Sequence, residues 1–202
     1  MPERIFLAKQ NKSASGHKAA KDRITILFSS NASGDYIMKP LVNNKSKMHR
    51  AFKGANINNL PVYWRANKKA WVTAAMFTEW FHECFIPDAK KYLSSKGLPF
   101  KVLLLIDNAP GRPQDLEYKN VEVKFLLKNT TSLLQPLDQG IISTFKALYI
   151  KRALTYILEQ MENNNSLAVI SALKNFTIID CVKHITLSYT AIKETTLNYG
   201  QM

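Results

Sequence analysis

Two aspartates stand where a carboxylate can do chemistry. Asp107 directly follows the apolar run Phe100-Lys101-Val102-Leu103-Leu104-Leu105-Ile106 and precedes Asn108-Ala109-Pro110-Gly111. In an α/β sheet the carboxyl end of a buried strand is where ligands and catalysis collect. A carboxylate there is desolvated unless a cation or hydrogen bonds compensate it. Asp138 stands in Leu133-Leu134-Gln135-Pro136-Leu137-Asp138-Gln139-Gly140, at the start of a helical pattern. The end of one strand and the start of a later helix can face a shared Mg2+ or Mn2+. Such hard cations prefer carboxylate oxygens, and paired sites activate water and clamp the leaving oxygen in phosphodiester cleavage. Each residue also has a plain structural reading. Asp107 can cap the turn that follows it, and Asp138 is favoured in a first helical turn by the helix dipole.

The other titratable groups are weaker candidates. His17, His49, His82 and His184 form no metal-ligand spacing and are expected in surface or packing roles. Asp22 precedes the first strand and could approach the site as a substitute acid, whereas Asp35 sits in a turn and is expected to point away. Glu159 and Glu162 lie about 30 Å along a straight helix from Asp138 and are expected to be solvated. Cys84 and Cys181 are far apart with no CxxC spacing, which suits a reducing compartment and excludes a disulfide scaffold.

The elements that must position these residues follow from periodicity. Residues 24–29 read as a buried strand, 31–35 as a turn and Tyr36–Val42 as the returning strand of a hairpin, with Pro40 confining it to an edge or strand end. Residues 43–70 are polar and basic and read as an extended loop, pinned at its far end by Trp64 and Trp71. Thr73–Ser95 reads as an amphipathic helix capped by Thr73 and stopped by Gly97 and Pro99. Its Phe77, Trp80, Phe81, Cys84 and Phe85 are expected in the core rather than as a base-stacking platform. Phe100–Ile106 reads as a strand buried on both faces, residues 121–126 as a further strand, and Asp138–Glu162 as a long helix broken by Asn163-Asn164-Asn165. A weaker helical tail follows, giving a division into residues 1–160 and a tail over 161–202.

Charge points to the partner. The chain carries 28 Lys and Arg against 15 Asp and Glu, a net +13. Residues 1–70 hold 14 of the basic residues and three acids, a local net of +11 that leaves only +2 for the rest. A spread excess of this kind suits a surface lying along a polyanion. Lys45, Lys47, Arg50, Lys53, Arg65, Lys68 and Lys69 are the residues expected to line a DNA path. No apolar run reaches about 18 residues, so no membrane partner is expected.

Three segments together resemble the pogo/Tigger branch of the DDE transposases, the group to which centromere protein B and the jerky-type proteins are related. They are LLLIDNAPG (103–111), NTTSLLQPLDQGIISTFKALY (129–149) and KDRITILFSSNASGDYIMKPL (21–41), and NKKAWVTAAMFTEWF (67–81) matches the same family between them. The resemblance implies an α/β, RNase H-like fold, a mixed sheet flanked by helices, with a nuclear setting and Mg2+ or Mn2+ as cofactor. It implies that Asp107 is the second catalytic and metal-binding acid and Asp138 the third. Asn108 and Gly111 belong to the motif around the second acid. Asn129, Gln135, Pro136, Gln139 and Gly140 belong to the motif framing the third.

Two departures from the family pattern shape the expectation. The first acid of the family lies on an opening strand that would precede Met1, so the sheet is expected to lack that strand and metal to bind weakly or not at all. The family's DNAPGH reads DNAPGR here, with Arg112 where a histidine is usual. An arginine cannot serve as a neutral base or metal ligand, though it can hold a phosphate. The leading expectation is a DNA-binding domain that does not catalyse alone. An active metal-dependent endonuclease and a protein-interaction remnant are the alternatives.

Overall fold

The computed structural model describes residues 23–53, 56–109, 111–127, 140–164 and 169–192. Strand β1 (Thr25–Leu27) pairs antiparallel with β2 (Leu41–Asn44), Ile26 opposite Val42. Strand β3 (Tyr63–Ala66) lies parallel on the other edge of β2, Val42 opposite Trp64. A second sheet holds β4 (Val102–Ile106) and β5 (Val121–Phe125), parallel, with Leu104 opposite Val123. Helix α1 (Ala74–Trp80) runs through a π turn (Phe81–Phe85) into α2 (Ile86–Ser95). Among the described residues three more helices follow: α3 (Ile142–Glu162), α4 (Val169–Asn175) and α5 (Ile178–Tyr189).

The returning strand of the hairpin is displaced from Tyr36–Val42 to Leu41–Asn44. Ser30 and Ile37 form one isolated bridge, and two residues of the first strand then face three of the second before the ladder resumes at Leu27–Leu41. That extra residue is a bulge, and it coincides with Pro40, which has no N–H to give the ladder. The turn before it is held by Asp35. Its carboxylate takes hydrogen bonds from Ser33 Oγ and Tyr92 Oη and an ion pair from Lys96 Nζ at 2.8 Å. The Lys96 contact, with Asn31, Ser33 and Tyr92 behind it, keeps this acid well below the usual carboxylate range. Asp35 thus ties the hairpin to α2.

The segment expected to be a plain loop contains β3 and two single 3-10 turns, Arg50–Phe52 and Ile57–Asn59, started by His49 and Asn56. Four residues with polar flanks give too short a pattern to declare a strand. Trp64 does pin the segment: it is buried, its Nε1–H donates to Lys47 O at 3.1 Å, and its ring meets Phe52 edge-on. Trp71 does not. Its backbone N–H is held by Asn67 Oδ1, but its ring is 58% exposed.

Thr73 caps α1, its Oγ1 accepting the Met76 N–H. The π turn precedes Pro87, which cannot donate to the preceding turn, and a one-residue widening accommodates the missing bond. Gly97, at φ 67°, ends α2 with Leu98 N–H on Leu93 O and Gly97 N–H on Ser94 O, a Schellman arrangement.

Helices cover both faces of the first sheet, so the fold is mixed α/β. Leu41 faces Phe77, Trp80, Phe81 and Phe85, whereas its neighbour Val42 faces Phe145, Val182 and Ile185. The second sheet differs from expectation. Leu104 and Ile106 are buried, but Leu103 and Leu105 are 58% and 55% exposed, so β4 is buried on one face only. Among the described residues nothing is packed over the other face, and no helix is long and apolar enough to cross a membrane.

His184 lies in this core, stacked on Phe176 and edge-on to Tyr156, with no hydrogen-bond partner for either ring nitrogen among the described residues. Burial lowers its pKa, with Lys183 and Arg152 adding to the effect and Asp180 and Glu159 opposing it. The unfolded chain therefore takes up this proton first as pH falls through about 6.5, and stability declines below that value. Thermal melts of His184→Phe should show a shallower loss of stability between pH 7 and 5 than the parent chain, and equal slopes would exclude His184 as the cause.

Candidate functional site

The site is built where β4 ends. Ile106 O accepts the Leu126 N–H, which closes the β4–β5 ladder and leaves Asp107 at the strand's exit. Asp107 Oδ1 accepts from Arg112 Nε at 2.8 Å, and both side chains are largely buried, 22% and 12% exposed. The Arg112 guanidinium also lies 4.7 Å over the Phe77 ring. A permanent cation, held by a carboxylate and an aromatic face, is therefore the partner of the first candidate acid.

The turn that brings Arg112 back to Asp107 depends on Gly111. Its φ is 93°, and a Cβ there would come within 2.8 Å of the Val72 carbonyl oxygen. Arg112 N–H closes the turn on Ala109 O. Gly111→Ala combines a backbone conformation that L side chains avoid with a collision against main chain. It should lower unfolding stability by about 2 kcal/mol or more in urea denaturation, and a change within error would mean that the turn relaxes freely.

Asn108 is half-buried beside Asp107. Asp138 lies outside the described residues, as do Asp22, Asn129, Gln135, Pro136 and Gln139. Gly140 is described: among the described residues an added Cβ would meet nothing within 4 Å, and its carbonyl accepts the Ser143 hydroxyl. Among the described residues no three His, Cys, Asp or Glu side chains gather as a metal site requires. A divalent cation at Asp107 would sit beside the Arg112 guanidinium on Oδ1 and be repelled by it, so the described residues around Asp107 do not by themselves favour the ion. Arg112→Ala should tighten Mn2+ binding about tenfold in calorimetric titration, if the pair opposes the ion by the usual worth of a charge-assisted hydrogen bond. Unchanged affinity would show that Arg112 does not compete.

The basic residues fall into two groups. Lys45, Lys47, Arg50 and Lys53 are exposed on the segment between β2 and β3, which the buried Phe52 and Trp64 anchor to the core. Lys68 and Lys69 are exposed on the turn after β3. The Arg65 guanidinium, also expected on the DNA path, reaches Glu79 at 2.9 Å and Glu83 at 3.4 Å, which ties β3 to the first helical segment. The Arg112–Asp107 ion pair was legible only in part. The sequence shows an arginine five residues after the acid across a Pro-Gly turn, but not that the turn closes on it.

A family model described as "DDE superfamily endonuclease" matches residues 21–200. The human "Jerky protein homolog" is 40% identical over 139 residues, 67% of this chain and 25% of the relative. The human "Tigger transposable element-derived protein 7" is 27% identical over 210 residues, covering 98% of this chain and 38% of the relative. The mouse "Tigger transposable element-derived protein 4" is 28% identical over 197 residues, 98% and 35%. The chain thus spans between a quarter and two fifths of the length of these relatives. No solved structure matches it.

Proposed function

Because the chain belongs to the DDE superfamily of endonucleases, we propose that it is a transposase-derived, RNase H-like domain that binds DNA through phosphates and does not cleave it alone. The observation that carries the reading is the Asp107–Arg112 ion pair. In this superfamily catalysis generally depends on divalent metal, which needs free carboxylate oxygens. Arg112 instead neutralises the carboxylate at the end of β4 and, being always protonated, can neither ligate a metal nor accept a proton. If a divalent ion is bound in this family's manner, Asp107 and Asp138 are the residues of this chain that would hold it, and the ion would polarise water and the scissile phosphate. What this chain's described residues do at the site is fix a cation beside Asp107.

DNA binding rests on the exposed Lys45, Lys47, Arg50 and Lys53 of the anchored segment and Lys68 and Lys69 of the turn after β3, and on the net +11 of the first 70 residues. Contacts of this type position a protein on the duplex and carry little sequence information. The nucleus is the compartment that this function implies. Fluorescence anisotropy with a mixed-sequence duplex, titrated at several salt concentrations, tests the reading. The logarithm of the binding constant should fall linearly with the logarithm of salt, with a slope of roughly −0.9 per phosphate contacted. Affinity indifferent to salt would exclude phosphate binding as its basis.

A further inference from the structure

Helix α3 carries an apolar stripe on the side turned away from the core. Phe145 and Tyr149 pack inward, and Tyr156 lies against Phe176 and His184. At about 100° per residue, Ile150, Leu154 and Leu158 project from the opposite face. They are 55%, 54% and 57% exposed, and the exposed Ala147 and half-buried Met161 continue the stripe at its two ends. We infer that this stripe is a self-association surface, which takes α3 of a second copy of the chain in antiparallel orientation.

The charges along α3 select both the partner and its direction. Lys146, Lys151 and Arg152 lie in the first half of the helix and Glu159 and Glu162 in the second, with no acid in the first half and no base in the second. A helix dipole favours the reverse, acids near the N-terminus and bases near the C-terminus. The helix by itself therefore gains nothing from this arrangement. A second α3 laid antiparallel sets its acidic half against the basic half of the first, and two-fold symmetry makes the match twice over. A parallel copy would set like charges together.

The register agrees. With Leu154 on the two-fold axis, Ile150 meets Leu158 of the second copy and Ala147 meets Met161 of the second copy, so each apolar position finds an apolar partner. Lys151 and Glu162 lie on the same flank of the stripe, and antiparallel symmetry brings equal flanks together. At about 1.5 Å per residue their backbones are offset by roughly 7.5 Å along the axis. Helical side chains lean toward their own N-terminus, so these two lean toward each other and close that offset. One helix face buries less than the ~1,200 Å2 of a stable interface, which sets a weak association with a Kd of about 10–100 µM.

Sedimentation velocity of the whole chain over a concentration series, without DNA, reads the association independently of nucleic-acid binding. A monomer–dimer equilibrium is expected. Leu154→Glu opposes two carboxylates on the axis and should raise Kd at least about a hundredfold. Lys151→Glu should raise it about tenfold, and adding Glu162→Lys should return it to within about threefold of the parent value. All three positions are exposed, and circular dichroism and melting establish that each variant is folded. A parent chain that stays monomeric throughout the series overturns the inference, as does a dimer that Leu154→Glu leaves intact. A double variant no tighter than Lys151→Glu also overturns it, because the helices would then not meet antiparallel in this register.

Discussion

Replacing Lys45, Lys47, Arg50 and Lys53 together by glutamine is expected to lower the affinity for mixed-sequence duplex DNA by about a thousandfold at 0.1 M salt. The magnitude follows from counterion release: each phosphate neutralised contributes roughly 0.9 RT ln(1/[salt]), a little over 1 kcal/mol at that concentration, and four such contacts multiply. The slope of log affinity against log salt should fall by about 3 to 4 at the same time. These four residues are exposed and lie on a segment whose fold is set by Phe52 and Trp64, so the variant should melt like the parent chain. Anisotropy titrations at three salt concentrations measure both quantities. A drop below about tenfold, with the slope unchanged, would move the DNA path elsewhere on the surface. Arg65→Gln is the internal comparison. Its guanidinium is engaged by Glu79 and Glu83, so it should alter affinity far less than any of the four.

The largest effect on stability is expected at Phe81. Its ring is fully buried, stacked on Phe85 with centroids 5.7 Å apart, in the cluster that also holds Leu41, Leu104 and Ile106. Both sheets therefore rest on the same group of side chains. Phe81→Ala removes transfer free energy and leaves a cavity that the π turn cannot readily close, for a loss of about 3–5 kcal/mol. That is a large share of the roughly 5–15 kcal/mol by which domains are stable. Urea denaturation should show the midpoint fall steeply. A loss under about 1 kcal/mol would mean that the cluster repacks and that the two sheets are not held through it.

How far the sequence reached can be traced residue by residue. Thr73 as a cap, Gly97 as a stop and the apolar spacing of Phe77 to Phe85 are local signals, and the helical stretch they announce is present. The strand Val102–Ile106 and the acid after it were equally legible, because an unbroken apolar run ending in Asp-Asn is a short-range pattern. What failed was set by distant partners. Leu103 and Leu105 were expected inside because they are apolar, but which face of a strand is covered depends on the elements packed over it. Strand β3 is defined by pairing with β2 rather than by its own four residues, and the bulge at Pro40 breaks the hairpin ladder between the Ser30–Ile37 bridge and the Leu27–Leu41 pair.

The site divides in the same way. Gly111 could be read as a turn residue, but its reason is the Val72 carbonyl, 39 residues earlier in the chain, which leaves no room for a Cβ. Arg112 was recognised as a departure from the family pattern. Its closure onto Asp107, which changes the chemistry of the acid from a free ligand to half of an ion pair, is a property of the folded turn. Arg65 is a similar case: its two glutamate partners lie on the adjoining helical stretch and are not visible from its own segment.

One measurement bears most directly on whether this chain binds DNA without cutting it. Supercoiled plasmid is incubated with the folded chain and Mg2+ or Mn2+, at a protein concentration where anisotropy shows the DNA bound, beside Asp107→Ala and Asp138→Ala. The expected result is intact plasmid in every lane, with DNA binding retained by both variants. Metal-dependent nicking by the parent chain that disappears in both variants would contradict it, and would mean that Asp107 exchanges Arg112 for a metal ion in a working site.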